Sequence, residues 1–320
     1  MQILITGVAG FIGFNLSRLL LKKKNIQIIG IDNINSYYSQ KLKKDRINEL
    51  RKNKNFIFKK VDLKNLSSLE KIFSKKISLI INLAAQAGVR YSIKKPREFV
   101  NNNILGFYNL IDLAQKYRIK KIIYASSSSI YGDSKTFPLK EIQNVSPKNV
   151  YALSKKNNED LASIFSAQYN IKFIGLRFFT VYGEWGRPDM FMMKYLASSY
   201  YRNKKFYLNN FGNHTRDFTY IQDVCNLVEK LIFIKKKLKP NEVFNICSNN
   251  PVKLMDIVNK LNNLTFKKPH LHKRKLQQAD VVKTHGSNRK IIDLLGKIRF
   301  TSIDSGLKNT VAWFKNYYDL

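Results

Sequence analysis

Short apolar runs alternate with longer stretches of helical periodicity through the first 180 residues. QILIT (2–6), IQIIGID (26–32), NFIFKKVD (55–62), SLIINLA (78–84), KKIIYASS (120–127) and IKFIGLRFF (171–179) have strand length and are rich in Ile, Phe and Tyr. Between them, FIGFNLSRLLLKK (11–23), residues 40–53, LSSLEKIF (66–73), 97–117 and 147–169 read as helices. Strands this apolar are covered on both faces, which requires a parallel sheet with helices on each side. Right-handed crossovers then give an α/β, doubly wound parallel sheet. Beyond residue 180 the pattern is less regular. EWGRPDM (184–190) is a Gly/Pro loop ending at a helix, and RDFTYIQDV (216–224) is a short strand turning into a helix over 222–237. VFNIC (243–247) is a further sheet strand, and the last seventy residues are mixed.

Composition narrows the class. A chain of 320 residues, 44% hydrophobic and 25% charged, holds one large or two coupled domains without disulfide or metal staples. Its apolar and aromatic residues are too evenly spread for disorder. KISLIINLAA (76–85), among the longest apolar runs, falls far short of the ~20 residues of a membrane span, and MQILITG passes directly into a strand without leader features. A cytoplasmic protein without membrane partners is expected. Cys225 and Cys247 have no CxxC spacing and read as buried thiols. His214, His270, His272 and His285 have no ligand partners at metal spacing, so no metal is expected. The formal charge of +35 raises nucleic acid as a partner. The lysines, however, are scattered, at 22–24, 52–60, 71–76 and 235–239, many on polar helix faces, and no nucleic-acid signature accompanies them. The excess reads as solvated surface charge, with no nucleic acid bound, and it fits an anionic small substrate equally well.

Two motifs carry chemistry. TGVAGFIG (6–13) places Gly7, Gly10 and Gly13 between the first strand and the first helix. Glycines there tighten the turn and let backbone N–H groups approach a pyrophosphate at the helix N-terminus. The second strand ends in Asp32, which would accept both ribose hydroxyls of the adenosine and repel a 2′-phosphate, favouring NAD over NADP. The fold expected is therefore a Rossmann-type sheet, with 1–180 plus about 217–248 as the NAD-binding domain. A smaller, discontinuous α/β substrate domain takes about 181–216 plus 249–320. The second motif, YALSK, puts Tyr151 and Lys155 on one helix face. A Lys ammonium beside a tyrosine lowers the phenol pKa, so that the phenolate can act as a base near neutrality. The pair alone is common by chance in a Lys-rich chain. It gains weight by following ASSSSIYG (125–132), a strand ending in a run of hydroxyls, and NLAAQAG (82–88), another strand end.

Together these residues resemble the extended short-chain dehydrogenase/reductase family, and within it the nucleotide-sugar epimerases, along essentially the whole chain. The resemblance implies a catalytic Ser127, Tyr151 and Lys155, although Ser126 and Ser128 flank the serine and the assignment within 126–129 stays open. It implies cofactor contacts at Gly7, Gly10, Phe11, Ile12, Gly13, Asp32, Asn33, Asp62, Leu63, Leu83, Ala84, Ala85, Asn103, Tyr151 and Lys155. Asn103 also reads as a helix-surface amide, and Leu83–Ala85 as plain sheet core. QAGVRYSIKKP (86–96), DNINSYY (32–38) and RFFTVYGEWGRPDM (177–190) are similar to UDP-glucuronate 4-epimerases, where Pro is usual in place of Glu184, a difference that bears on the rigidity of the loop. By that likeness Arg187 and Arg216 pair with the UDP diphosphate, Arg90 closes over it, and Asp280 of LQQAD (276–280) accepts from the uridine ribose; ordinary salt bridges are the competing reading. Ser127 would hold the sugar O4, while Ser128, Ser129 and Thr180 would hold the uronate carboxylate or merely cap a strand end. Related dehydratases and decarboxylases carry acidic residues just after the catalytic hydroxyl, where this chain has Ser128 and Ser129. The activity implied is C4 epimerisation of a UDP-sugar through a 4-keto intermediate by a homodimer. UDP-glucose or its N-acetyl relative is the alternative substrate, followed by decarboxylation or a non-catalytic dinucleotide-binding role.

Overall fold

The computed structural model describes residues 1–277 and 280–320. The first half runs β1 (Gln2–Thr6), α1 (Phe11–Leu20), β2 (Gln27–Asp32), α2 (Gln40–Arg51), β3 (Phe56–Lys60), α3 (Leu66–Glu70), β4 (Ile77–Asn82), α4 (Val89–Lys94), α5 (Pro96–Phe99), α6 (Gly106–Lys116), β5 (Lys121–Ser127), α7 (Val150–Tyr169) and β6 (Lys172–Phe178). The second half runs β7 (Thr180–Tyr182), α8 (Phe191–Tyr200), β8 (Phe206–Asn209), β9 (Thr215–Tyr220), α9 (Ile221–Ile232), β10 (Asn241–Ile246), β11 (Pro251–Lys253), α10 (Leu254–Thr265), β12 (Leu271–Arg274), α11 (Arg289–Leu295) and α12 (Ile303–Tyr317).

Seven strands form one parallel sheet in the order β10-β6-β5-β4-β1-β2-β3. Alternate residues of β1 enter opposite cores. Ile3 and Ile5 pack with α1 and α9, whereas Leu4 packs with Phe107 and Leu110 of α6. This is the doubly wound Rossmann-type sheet expected from the apolar runs. The chain winds outward from β1 to β2 and β3 on one side, and through β4, β5 and β6 on the other. A crevice therefore opens above the carboxyl ends of β1 and β4, where such sheets bind ligands. Thr6 holds these two ends together: its hydroxyl donates to Asn82 Oδ1 at 2.6 Å and accepts from the Ala84 amide at 3.1 Å.

Several boundaries differ from the expected ones, and three of them have a clear local reason. The helix expected over 97–117 is divided by a π-helical stretch, Val100–Leu105, which brings Asn102 to the crevice and buries Asn103. The helix expected over 222–237 stops at Ile232, because the Lys121 ammonium donates to the carbonyls of Leu231 and Ile232, at 3.0 Å each. The helix expected from 147 begins at Val150, after Asn149 caps the Ala152 amide. Beyond the large sheet, β9 pairs with β7 and β11, and β8 pairs with β12. α10 and α12 bury Ile257, Val258 and Leu261, and Leu307, Val311 and Phe314, a helical spacing hidden within the mixed last seventy residues. Among the described residues no helix is long and apolar enough to cross a membrane.

Candidate active site

The crevice is a cleft of about 310 Å³. Its first wall is built from backbone. Gly7 has φ +70°, and a Cβ there would lie 2.6 Å from the Ala84 nitrogen; a Cβ on Gly13 would lie 2.2 Å from the Gly7 oxygen. The loop thus folds against β4, and α1 folds against the loop, in a space that only glycine fits. Gly10 caps α1 without a side chain, and no acid stands in the first turn, so the helix opens toward the cleft at Phe11, Ile12 and Gly13 with its N–H groups uncapped. Asp32 closes the turn: it accepts from the Ala9 amide at 3.1 Å and from the Ile34 amide at 2.8 Å, and burial raises its pKa. Leu63, Leu83, Ala84 and Ala85 line the floor, beside Asn33 and Asp62, which are joined at 3.1 Å. A glycine cradle, an uncapped helix terminus and a carboxylate lining the cleft at the end of β2 fit a dinucleotide.

The opposite wall carries the titratable groups. Tyr151 and Lys155 project into the cleft from the first turns of α7. Burial raises the Tyr151 phenol, against the opposing influence of the Ser127 hydroxyl and the Arg187 charge. Burial also pulls Lys155 down to about 8; its ammonium donates to the Ala125 carbonyl at 2.8 Å. The serine run is sorted by its partners. The Ser126 hydroxyl is buried and donates to Glu159 at 2.5 Å, which leaves Ser127 as the hydroxyl beside Tyr151. Ser128 and Ser129 fall in the following turn, off the cleft lining, where Ser129 meets the Ser127 hydroxyl at 3.1 Å.

The residues expected at the substrate end divide into two groups. Arg187 lines the cleft, and Asp189 holds it through Nε at 3.0 Å and Nη2 at 2.6 Å; Tyr37 also donates to Asp189, at 3.2 Å. Arg90, Arg216 and Asp280 gather outside the lining. Arg90 grips Asp280 through Nε at 3.2 Å and Nη2 at 2.6 Å, and Arg216 donates to the carbonyls of Val281 and Val282. Burial pulls Arg216 down to about 10, with Asp280 opposing the shift and Arg90 adding to it. Two of the five residues of LQQAD, Gln278 and Ala279, lie outside the described residues. Thr180 begins β7, half-buried and off the lining. Asn103 also lies off the lining: its amide donates to the Gln86 carbonyl at 3.1 Å and the Ser154 hydroxyl at 2.9 Å, and accepts from the Gln86 amide at 2.7 Å.

Sequence reasoning missed Lys43, Tyr38 and Arg46. Lys43 lines the cleft, donates to Asn35 at 2.6 and 2.7 Å, and is pulled down to about 8 by burial. Arg46 is fully buried and donates to the Ala9 carbonyl at 2.7 Å, the Tyr38 hydroxyl at 2.8 Å and the Trp185 carbonyl. It ties the glycine loop, the 32–38 segment and the 184–187 loop to one guanidinium. No spacing rule points to Lys43 and Arg46, whose only signal is the helical pattern of 40–53, and Tyr38 lies in DNINSYY, noted for its similarity but not for this contact. The 184–187 loop needs no proline to be held. The Glu184 carboxylate accepts from the Tyr220 hydroxyl at 2.7 and 2.8 Å, and Asn309 donates to the same hydroxyl at 3.0 Å.

Known proteins are similar to this chain in sequence and in fold. The family described as NAD dependent epimerase/dehydratase matches residues 3–247. Protein CapI of Staphylococcus aureus is 40% identical over 99% of both chains. A UDP-glucuronate 4-epimerase of Thermodesulfobacterium geofontis is 37% identical over 99% of this chain and 97% of its own. Among solved structures, the UDP-glucuronic acid 4-epimerase of Bacillus cereus, in complex with UDP-glucuronic acid and NAD, superposes with a TM-score of 0.92 at 31% identity, covering 99% of this chain and 100% of that one. The chain belongs to the NAD dependent epimerase/dehydratase family: it is an enzyme, and NAD is its cofactor.

Proposed function

We propose that this enzyme interconverts the C4 epimers of a UDP-sugar, and that the sugar is glucuronate, giving UDP-galacturonate. The observation that carries the reading is the meeting of Ser127, Tyr151 and Lys155 at one end of a cleft whose other end is the glycine cradle and Asp32. Bound NAD supplies a reversible two-electron oxidation at C4 of the sugar. Tyr151 takes the O4 proton and later returns it, while Ser127 holds O4 by a hydrogen bond. Lys155 lends a positive charge that brings the raised Tyr151 phenol toward the range where it can act as a base. Arg187, joined by Arg90 and Arg216, retains the diphosphate while the 4-keto sugar turns over to present its other face, and Asp280 accepts from the uridine ribose.

A 4-keto uronate is a β-keto acid and loses CO2 when its carboxylate bond stands perpendicular to the carbonyl plane. The hydroxyls of Ser128, Ser129 and Thr180 keep the carboxylate near that plane, and no acid follows the catalytic serine to drive elimination. The two relatives named above as UDP-glucuronate 4-epimerases support the uronate. A UDP-glucose 4-epimerase of Thermotoga maritima, with a TM-score of 0.87 at 27% identity, supports the neutral sugar as the second reading. The enzyme works as a homodimer through α6, α7 and the preceding π-helical stretch. Leu105, Tyr108, Leu153 and Ile164 are exposed there, whereas Leu110 and Leu113 pack against their own sheet.

The test is incubation with UDP-glucuronate and no added cofactor, followed by chromatography with mass detection. A new peak of unchanged mass is expected. A product lighter by CO2 would make the enzyme a decarboxylase, and turnover of UDP-glucose alone would move it to the neutral sugars.

A further inference from the structure

Behind the catalytic hydroxyl lies a buried charged network that the reaction outlined above does not use. Glu159 and Arg177 are only 8% and 6% exposed and meet as a two-pronged pair, Arg177 Nε to Oε1 at 2.9 Å and Nη2 to Oε2 at 2.8 Å. The third nitrogen of the guanidinium, Nη1, donates to the Tyr131 hydroxyl at 2.8 Å and the Glu141 carbonyl at 3.1 Å. The Tyr131 hydroxyl donates in turn to Asn245 Oδ1 at 2.8 Å. Burial works against the Arg177 charge, and the Glu159 carboxylate more than restores it, so Arg177 titrates above its ordinary range. Desolvation largely offsets the attraction within a buried ion pair, so stability alone is a weak account of this one.

Its placement supplies a better account. Tyr151, Lys155 and Glu159 recur every fourth residue along α7 and form one stripe facing β5. Each meets a different residue of the strand end. Tyr151 lies beside Ser127, Lys155 donates to the Ala125 carbonyl at 2.8 Å, and Glu159 accepts from the Ser126 hydroxyl at 2.5 Å. Both serines line the cleft, and neighbouring residues on a strand point to opposite sides, so holding the Ser126 hydroxyl on Glu159 leaves the Ser127 hydroxyl on the side of Tyr151. Arg177 reaches the far end of the same segment through Tyr131, which closes the turn Ser128–Tyr131. The pair therefore grips the hydroxyl run at both ends, from below, without touching the cleft itself.

We propose that Glu159 and Arg177 are positioning residues for the epimerisation: through Ser126 and Tyr131 they set the facing of Ser127 and its distance from Tyr151 and Lys155. The proposal rests on the reading of Ser127, Tyr151 and Lys155 as the catalytic group. A fork-to-fork pair suits the task because it fixes direction as well as distance. Ser126 is the link through which the pair acts, and its removal leaves the ion pair intact.

The test uses the full chain purified with its NAD, assayed on UDP-glucuronate and UDP-glucose, in the variants S126A, S126T, E159Q, S126A/E159Q and Y151F. S126A is expected to lower kcat about ten- to a hundredfold with KM within about twofold, as a small misplacement of reacting groups does. S126T, which keeps the hydroxyl, is expected to restore it. The alkaline limb of the pH profile is expected to move to lower pH in S126A, because a loosened strand end weakens the Lys155–Ala125 bond that favours the ammonium; a mere loss of folded protein scales the profile without moving it. S126A/E159Q is expected to be no slower than the slower single variant, since both act through one contact. Should the two effects multiply, Ser126 acts on the substrate directly and the brace is wrong. S126A with the rate and profile of the unaltered enzyme also overturns it, and that variant decides the matter if E159Q fails to fold. An active Y151F removes the catalytic reading and the brace with it; an inactive Y151F beside an unaffected S126A removes the brace alone.

Discussion

The two ends of the cleft are built by different physics. The dinucleotide end is steric and backbone-made. Gly7, Gly10 and Gly13 leave no room for a Cβ, and the loop after β4 that forms the floor is tied to β1 by the Leu83 amide on the Thr6 carbonyl and the Ala84 amide on the Thr6 hydroxyl. The substrate end consists of charged side chains that neutralise one another. Arg187 is held by Asp189, and Arg90 by Asp280, both in two-pronged geometry with one contact at 2.6 Å. An arginine fork that closes on a carboxylate closes equally well on a phosphate. On the proposed reading the first end is preformed, whereas the second exchanges internal partners for the anionic substrate. Changes at the first end should therefore be all-or-none, and changes at the second graded.

The largest effect should come from adding one methyl group to the finished end. In G13A the new Cβ would lie 2.2 Å from the Gly7 oxygen, a backbone atom that cannot swing away, so the loop and α1 must separate. Overpacking of this kind costs about 1–3 kcal/mol, and here the cost falls on the geometry of the pyrophosphate cradle. The variant should purify without NAD, read by absorbance or by mass after denaturation, and lose activity altogether. A G13A protein with a full complement of NAD would show that the cradle yields, and the contrast between the two ends would fail.

Next in size is R187M. Removing one charge-assisted contact with the diphosphate should cost about 1.5–3 kcal/mol, a rise of about ten- to a hundredfold in KM for the UDP-sugar, with NAD content unchanged. Loss of NAD in this variant would mean that Arg187 serves both ends.

What could be read in the sequence follows the same division. The glycine loop, Asp32 and the strand ends are local in the chain, so a turn, a helix start and a strand terminus announce them within 32 residues. The Arg90–Asp280 contact joins positions 190 residues apart, and no pattern near either one names the other. The serine assignment stayed open for the same reason. Ser126 and Ser127 are equivalent in the sequence, and they separate only when Glu159, 33 residues away, takes one hydroxyl. Arg46 stands in a stretch that reads only as a helix, and two of its partners, the Ala9 and Trp185 carbonyls, lie 37 and 139 residues away. The π-helical turn that buries Asn103 has no signal within a stretch that otherwise reads as one helix.

The titration of the Tyr151–Lys155 pair tests where the two ends meet. Burial raises Tyr151 and pulls Lys155 down to about 8, so both groups lean toward neutrality. A lysine is charged below its pKa, so the ammonium is lost as pH rises through about 8, and kcat/KM should fall about tenfold per pH unit beyond that point. With NAD stripped away, the ultraviolet difference between the protein and Y151F should show no phenolate below pH of about 10, the ordinary value for tyrosine. Phenolate at neutral pH in the stripped protein would mean that this chain's own residues suffice to ionise Tyr151.

The smallest effect belongs to Thr180, the most exchangeable position of all. Its side chain lies off the cleft lining, at the first residue of β7 in register with Phe218 of β9. T180V keeps the shape and removes one hydroxyl, worth about 0.5–1.5 kcal/mol as a hydrogen bond. That is enough to change the partition of the keto acid by about two- to tenfold. The expected readout is therefore a small pentose product, lighter by CO2, beside an epimer formed at nearly the normal rate. If products and kinetics both stay unchanged, Thr180 does not hold the carboxylate. Ser128 and Ser129 would then hold it alone, and their attachment to Ser127 through the 3.1 Å contact of Ser129 would place protection of the carboxylate on the catalytic wall. That outcome would move the boundary between the fixed and exchangeable ends inward by one strand.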